Sequence, residues 1–283
     1  MQYADDTQVI VSGPKSAIPH LVSRMEQSLS CLGDYFHSNG LKVNVSKFEF
    51  IIFGSKQNLR TLPNIKISYR GTCLTPSNEV KNLGLTFDRH LSWDAHIRSL
   101  SRKCCGILVS LSHIRHFLPP QTLPDIVTAL VVSHIRYCLT VYGNGTAGNL
   151  AAVQKLLNFA TRVVSGRRKF DHISDVRDDL GWLDSSQLFH FQSLSLLHKI
   201  ITSGEPECIA SQISTNRDNP SHVRSTRQDH LLHLPAIRTE AGRRRFLFRT
   251  PQLYNGLPAD IRELAGARFR TRLKSYLRSL GSD

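Results

Sequence analysis

Long apolar runs are missing from this sequence of 283 residues. No run reaches eighteen consecutive apolar residues, so we predict that nothing in the chain spans a bilayer and that no membrane is a partner. The first residues also lack the basic and then apolar pattern of a secretory signal peptide. We therefore expect an intracellular protein.

Metal-ligating spacings of cysteine and histidine are missing too. The six cysteines form no C-x2-C pair, and they combine with none of the 13 histidines at zinc-finger spacing. In an intracellular protein, scattered cysteines of this kind are typical of reduced thiols in the core. The sequence therefore predicts neither a zinc module nor a disulfide framework.

Acidic residues are scarce relative to basic ones. There are 36 Lys and Arg against 22 Asp and Glu, a formal net charge of +14. The excess is strongest from Asn216 onward. Such a balance favours nucleic acid as a partner, because every phosphate contact releases condensed counterions. A solvated charged surface or a basic protein-interaction module is the alternative.

The first ninety residues alternate between strand-like and helix-like patterns. Apolar residues at helical spacing predict an amphipathic helix over 18–39 that ends at Asn39-Gly40. β-branched and aromatic runs predict five strands: Thr7–Ser12, Leu41–Asn44, Phe48–Phe53, Ile65–Tyr69 and Val80–Phe87.

From about residue 92 the pattern becomes helical. Ser92 is the predicted N-cap of a helix that carries its apolar face over 97–114, and Pro119-Pro120 separate it from the next. Further helices are predicted at Leu123–Tyr142, Leu150–Val164 and Leu188–Ile201, the last behind a capping box of Asp184 and Gln187, and at the C-terminus. A loop over Pro220–Arg238 and a short strand at Phe246–Phe248 complete the prediction.

These patterns predict an α+β fold. A short mixed or antiparallel sheet with one helix occupies 1–90, a helical region follows over 91–203, and a basic segment over 204–283 ends in a helix. The sequence shows no internal repeat and no low-complexity tract.

Two adjacent carboxylates, Asp5 and Asp6, stand in the opening "YADDTQ". Like charges on neighbouring residues repel, so the pair is stable in solvent or around a cation. Hard divalent cations prefer carboxylate oxygens, and nucleotidyl transfer uses two such ions. An acid pair on a tight hairpin turn suits half of such a site, although a solvated turn is the simpler explanation of the pair taken alone.

The residues around Asp5 and Asp6 favour the interpretation of the pair as half of a metal site. "YADDTQ" resembles the Tyr-x-Asp-Asp motif of reverse transcriptases in the form found in non-LTR (LINE-type, jockey/CR1-like) retrotransposons. Further stretches are similar to the same family in the same order: "SNGLKVNVSKFEFIIFG", "VKNLGLTFDRHLSWDAHI", "HIRYCLTVYG", "AAVQKLLNFATRVVSG", "LGWLDSSQL" and "YNGLPADIR". The resemblance covers nearly the whole chain.

The resemblance implies roles for the N-terminal residues. Residues 1–90 would be the C-terminal part of a polymerase palm, with Asp5 and Asp6 as metal ligands and catalytic acids and Tyr3 near the primer end. Lys47 matches a lysine that can act as general acid toward pyrophosphate. Phe48 replaces the threonine that follows this lysine in the family, and a surface lysine is the alternative for Lys47.

The resemblance also implies what is missing. In the family, the fingers and the first metal-binding aspartate precede Tyr-x-Asp-Asp, so we expect this chain to be a fragment and inactive alone. Mg²⁺ or Mn²⁺ is expected only for the complete polymerase. Neither Asp34 nor Glu49 is placed to replace the missing acid. An RNA template and a DNA primer are the implied partners, and the nucleus is the implied compartment.

The helical part would correspond to the thumb and the region beyond it. A thumb grips primer and template through the phosphate backbone. The candidate nucleic-acid-binding residues are Arg98, Arg102, Lys103, Arg162, Arg167, Arg168, Lys169, Arg243, Arg244 and Arg245. For each one alone, a solvated charged surface is the simpler explanation, and Arg243–Arg245 also fits a nuclear-import-like patch.

Overall fold

The computed structural model describes residues 2–119, 121–218 and 229–280. The predicted α+β class is confirmed, since helices dominate and the strands are few, short and antiparallel. The chain forms two compact units, Met1–His96 and Ile97–Asp283. The division into three segments stays a prediction. Pro120 and residues 220–228 of the predicted loop lie outside the described part.

The N-terminal unit consists of one long helix, one short helix and three hairpins. Its elements are β1 (Gln2–Tyr3), β2 (Asp6–Thr7), α1 (Ile18–Ser38), α2 (Lys56–Arg60), β3 (Ile67–Tyr69), β4 (Thr72–Leu74), β5 (Glu79–Asn82) and β6 (Leu85–Asp88). The strands pair as β1–β2, β3–β4 and β5–β6 in separate two-stranded sheets. The mixed or antiparallel strands that the sequence predicted are antiparallel, and within the described residues they are divided among three separate sheets.

Helix α1 packs against β3 through a close approach at Gly33. Gly33 is buried, and a Cβ at this position would collide with the hydroxyl of Tyr69. Tyr69 also contacts Phe48, with ring centroids 5.2 Å apart. The predicted end of the helix is confirmed, because Asn39 is the C-cap and Gly40 has a φ of 72°.

Three strand predictions in this unit are wrong: Thr7–Ser12, Leu41–Asn44 and Phe48–Phe53. The first has no strand pairing after Thr7, the second is irregular, and the third makes one isolated bridge between Ile51 and Ser77. β-branched and aromatic residues favour a strand only where a neighbouring strand supplies the pairing.

Two other strand predictions hold in part. Ile65–Tyr69 is confirmed as β3, which is two residues shorter. Val80–Phe87 is a hairpin of β5 and β6, because Leu83 and Gly84 adopt φ values of 43° and 81° and form a two-residue turn. Positive φ at both central positions is what this tight hairpin turn requires.

Asp88 ends β6 and organises the start of α3 (Asp94–Ile114). Its carboxylate accepts backbone N–H bonds from His90, Ser92 and Trp93 at 2.9, 3.0 and 2.7 Å. Burial raises the pKa of Asp88, but these hydrogen bonds outweigh it and hold the pKa below its usual value. Ser92, the predicted N-cap, accepts from the first helical N–H only at 3.4 Å.

The C-terminal unit is helical. Beyond α3 it contains α4 (Leu123–Val127), α5 (Ser133–Arg136), α6 (Leu139–Tyr142), α7 (Ala147–Ser165), α8 (Ser174–Asp179), α9 (Ser185–Ser203), α10 (Glu207–Ala210), α11 (Glu240–Arg243), α12 (Phe246–Asn255), α13 (Ala259–Arg262) and α14 (Gly266–Ser279). The predicted helices Leu150–Val164 and Leu188–Ile201 and the C-terminal helix are confirmed. None of the described helices is both long and apolar enough to cross a membrane.

Helix α9 forms the core of this unit, with α6, α7, α12 and α14 packed against it. The predicted capping box is present, since Asp184 accepts from the Gln187 N–H at 2.8 Å and Gln187 accepts in return at 3.0 Å. Farther along, the His198 ring stacks on Phe269 at 3.7 Å and hydrogen-bonds the Tyr254 hydroxyl at 3.0 Å.

For this unit, one prediction holds in part and one is wrong. Leu123–Tyr142 is interrupted by a π-helical turn at Thr128–Val132 and by Cys138, whose φ is 54°. Phe246–Phe248 is the first turn of α12, because packing against α9 outweighs the local strand preference of these phenylalanines.

The cysteines are unpaired, as predicted, but they are not all in the core. Cys31, Cys73 and Cys208 are exposed, whereas Cys104 is fully buried. Burial raises the pKa of the Cys104 thiol to about 11.

Replacing Asp88 by Asn should destabilise the N-terminal unit by about 1–2 kcal/mol. The carboxamide has one acceptor oxygen, and its NH₂ group would face a backbone N–H. Because the pKa of Asp88 is lowered on folding, its stabilisation is complete above about pH 3.9 and is lost as the pH falls through the folded-state value. Urea unfolding at pH 7 and pH 3 measures both effects.

Glu49→Gln is the matched control for this variant, since Glu49 is an exposed carboxylate of the same unit. Equal unfolding midpoints for the two variants at pH 7 would contradict the role given to Asp88.

Candidate functional site

The acid pair lies on a minimal hairpin. Tyr3 pairs with Asp6 in the β1–β2 ladder, while Ala4, with a φ of 52°, and Asp5 form the turn. Both carboxylates are exposed. The Gln8 side chain, just after β2, donates to the Asn82 side chain at 3.0 Å and attaches the hairpin to the rest of its unit.

The hairpin does not by itself form a complete divalent-cation site. Ca²⁺ and Mg²⁺ are bound by six or more oxygen ligands, some of which can be water. Within the described ranges, no group of three or more His, Cys, Asp or Glu side chains is arranged to hold a metal ion. Asp5 and Asp6 therefore present two neighbouring carboxylates and no closed ligand set.

Tyr3 and Lys47 are both accessible. Tyr3 is 67% exposed. Lys47 ends a 3-10 turn over Val45–Lys47 and is exposed, and Asn44 caps that turn by accepting from the Ser46 N–H at 3.1 Å. The roles of Tyr3 and Lys47 in binding and proton transfer stay predictions.

The candidate cations on α3 lie on its solvent-facing side. Arg98, Arg102 and Lys103 are exposed, whereas Cys104 and Leu108 of the same helix are fully buried. The amphipathic pattern predicted this arrangement, and it leaves all three charges accessible to a phosphate backbone.

The next candidates lie at the end of α7 (Arg162) and on the turn between α7 and α8 (Arg167, Arg168 and Lys169). Arg167 makes a two-pronged ion pair with Asp175, which raises the pKa of Arg167 and lowers that of Asp175. The Arg162 Nε donates to the carbonyl of Arg168 at 3.2 Å and orders the turn. A structural role thus accounts for Arg167.

An exposed aromatic ring lies among the remaining cations of this turn. Phe170 is 91% exposed, and the Lys169 ammonium lies 5.4 Å from its ring centroid. An aromatic ring beside basic groups is a platform for base stacking. The sequence analysis missed Phe170, although its position directly after three basic residues was a signal.

Arg243 and Arg244 line one side of a surface groove of about 690 Å³. Arg245 is exposed and is the N-cap residue of α12. Arg244 pairs with Glu240 at 3.3 Å. Arg249, which the sequence analysis also missed, lines the same groove with its guanidinium 4.9 Å from the Phe189 ring. Burial and the neighbouring Arg244 lower the pKa of Arg249. Arg249 follows the predicted strand Phe246–Phe248, and the packing of α12 against α9 brings it to the Phe189 ring.

These features define the class of the protein. It is an α+β protein with an exposed acid pair and a basic helical unit. The chain is similar to the RNA-directed DNA polymerase from mobile element jockey of Drosophila funebris, with 23% identity over 181 residues. It is also similar to the protein of that name from Drosophila melanogaster, with 22% identity over 181 residues. The aligned part is 63% of this chain.

These similarities confirm the predicted resemblance to a retrotransposon polymerase at the level of distant relatives. The chain spans about a fifth of the length of the curated relatives it matches, 19% in both cases. No protein-family model matches the chain, and no solved structure matches it.

Arg167→Gln and Arg168→Gln should have different effects. Loss of Arg167 removes the Asp175 ion pair, so the melting temperature should fall and hybrid binding should change little. Arg168 is exposed, so its loss should weaken binding to an RNA–DNA hybrid and leave the melting temperature unchanged. Thermal unfolding and fluorescence anisotropy give the two readouts, and each variant serves as the control for the other. A reversed pattern would contradict these assignments.

Proposed function

We propose that this chain is part of an RNA-directed DNA polymerase of a jockey-like non-LTR retrotransposon. The observation that carries the proposal is the Tyr-x-Asp-Asp sequence on a tight hairpin, followed in order by the other family-like stretches. The distant similarity to jockey polymerases supports it. In a complete polymerase, Asp5 and Asp6 would supply one side of a Mg²⁺ or Mn²⁺ site, with Lys47 as general acid.

The role of the helical unit in this proposal is to bind nucleic acid. Its exposed cations on α3 and on the turn between α7 and α8 hold the phosphate backbones of an RNA template and a DNA primer. Phe170 adds a stacking surface that accepts any base. Such a polymerase acts at chromosomal DNA, which places the chain in the nucleus.

The chain alone binds nucleic acid without polymerising it. Phosphoryl transfer depends almost entirely on positioning and charge stabilisation. Two exposed carboxylates on one hairpin supply only part of the ligand set that two metal ions need. Nucleic-acid binding is therefore the activity proposed for the isolated chain. A basic protein-interaction module is the second candidate function.

The isolated chain should bind an RNA–DNA hybrid with strong salt dependence. Its exposed cations displace counterions, so the logarithm of the affinity should fall linearly with the logarithm of the salt concentration. Fluorescence anisotropy between about 50 and 200 mM salt measures the slope. Asp5→Asn/Asp6→Asn, which removes two negative charges, should bind at least as tightly. A flat salt response would remove the nucleic-acid role and favour the protein-interaction module.

Primer extension should not occur with the isolated chain. A labelled DNA primer on an RNA template, with deoxynucleotides and Mg²⁺ or Mn²⁺, should keep its length on a sequencing gel. Extension that disappears in Asp5→Ala would overturn the proposed inactivity, because it would show that this chain completes the metal site.

A further inference from the structure

The surface groove of about 690 Å³ in the helical unit has one apolar and one basic wall. The apolar lining residues are Leu234, Pro235, Ala236, Ile237 and Phe248. The polar lining residues are Glu240, Arg243, Arg244, Arg249 and Gln252. The volume falls in the range of ligand-binding clefts. The binding role proposed for α3 and for the turn between α7 and α8 leaves this groove without a function.

The fold holds the apolar wall in place at both ends. Just before it, the Leu232 N–H donates to the Asn255 Oδ1 at 2.9 Å, and the Asn255 Nδ2 donates back to the Leu232 carbonyl at 2.8 Å. At the other end, Ile237 approaches α11 at Gly242, where an added Cβ would collide with an Ile237 methyl group. These contacts fix the apolar wall relative to the arginines of α11 and α12.

Arg249 is a constrained cation of this groove. It is half-buried, and its guanidinium lies 4.9 Å from the centroid of the Phe189 ring. Its Nη1 also lies 3.5 Å from the Asn144 Oδ1. A guanidinium held in this way loses little freedom when it binds an anion, and its partial removal from water strengthens the attraction.

The basic wall carries more positive than negative charge. Among the described lining residues, three arginines stand against Glu240, an excess of two positive charges. Glu240 pairs with Arg244 at 3.3 Å, but the side chains are 69% and 45% exposed, so this ion pair contributes little stability and is easily exchanged. Arginine binds phosphate through two parallel N–H bonds. The basic wall therefore suits phosphate groups.

The apolar wall favours an unpaired strand over a duplex. A duplex keeps its base faces stacked inside, whereas an unpaired strand can place bases on Pro235, Ile237 and Phe248 while its phosphates meet the arginines. Stacking on an aromatic ring accepts any base. Glu240 and Gln252 supply oxygens that accept a hydrogen bond from the ribose 2′-OH, a group that DNA lacks.

We propose that this groove binds single-stranded RNA. The bases lie on the apolar wall, and Arg243, Arg244 and Arg249 bind the phosphates. This inference rests on the proposed function and deepens it, because it assigns the unpaired RNA strand a site separate from the cations that hold the hybrid.

The test compares two double variants of the whole chain. Arg243→Gln/Arg244→Gln removes two cations of the groove, and Arg238→Gln/Arg268→Gln removes the same charge from exposed positions outside its lining. The probes are a single-stranded uridine RNA of about ten nucleotides, an abasic ribose-phosphate strand and a deoxyuridine strand of equal length, and an RNA–DNA hybrid. Anisotropy gives each dissociation constant as a function of salt, and thermal unfolding checks the fold of each variant.

The groove variant should bind the uridine strand about tenfold more weakly than the control variant at physiological salt. The slope of its salt dependence should be shallower by about one to one and a half, because two phosphate contacts to a single strand are lost. The two variants should bind the hybrid with similar affinity. The unmodified chain should bind the abasic strand at least about fivefold more weakly than the uridine strand. It should also bind the deoxyuridine strand more weakly.

Equal binding of the uridine strand by the two variants, with salt-dependent hybrid binding by the unmodified chain, would overturn the groove proposal alone. Equal affinity for the abasic and uridine strands would overturn the base contacts and favour an acidic protein segment as the occupant. Equal affinity for the deoxyuridine strand would overturn the choice of RNA. No binding of any probe by the unmodified chain would overturn the groove and the proposed function together. The abasic comparison needs no variant, so it decides even if the groove variant melts earlier.

Discussion

The burial of α9 on nearly all sides is the constraint on which the helical unit depends. Leu188, Leu194 and Leu197 on different sides of this helix are all at least 97% buried. A helix that is apolar all round must be enclosed by others, and α6, α7, α12 and α14 enclose it. The cationic side chains of the surrounding helices are excluded from this core and lie at the surface. The packing of the core therefore determines where the positive charge is exposed.

The N-terminal unit has no comparable core. Its deeply buried apolar side chains are few among the described residues, and the apolar side of α1 is only half-buried. The hairpin with Asp5 and Asp6 is connected to it through short strands and the Gln8–Asn82 hydrogen bond. Catalysis by two metal ions needs ligands held rigidly in place, and a two-residue strand on each side of a turn provides little of that support.

The sequence predicted those features that depend on local signals. The capping box of Asp184 and Gln187 and the glycine after α1 are local patterns, and both are confirmed. The strand at Phe48–Phe53 failed because pairing requires a distant partner, which its composition does not reveal. The candidate functional residues also divide into those with a local sequence signal and those that only tertiary packing reveals. The acid pair and the basic runs are visible in sequence, whereas Arg249 and the Phe189 ring meet only through the packing of α12 against α9.

The central claim is that the helical unit holds nucleic acid through its exposed cations. Lysine acylation of the whole chain, with and without an RNA–DNA hybrid and read by mass spectrometry, tests it most directly. The account predicts that the hybrid protects Lys103 and Lys169, while Lys56 and Lys66 of the N-terminal unit react equally in both samples. Protection confined to residues 1–96, or no protection at any lysine, would contradict it.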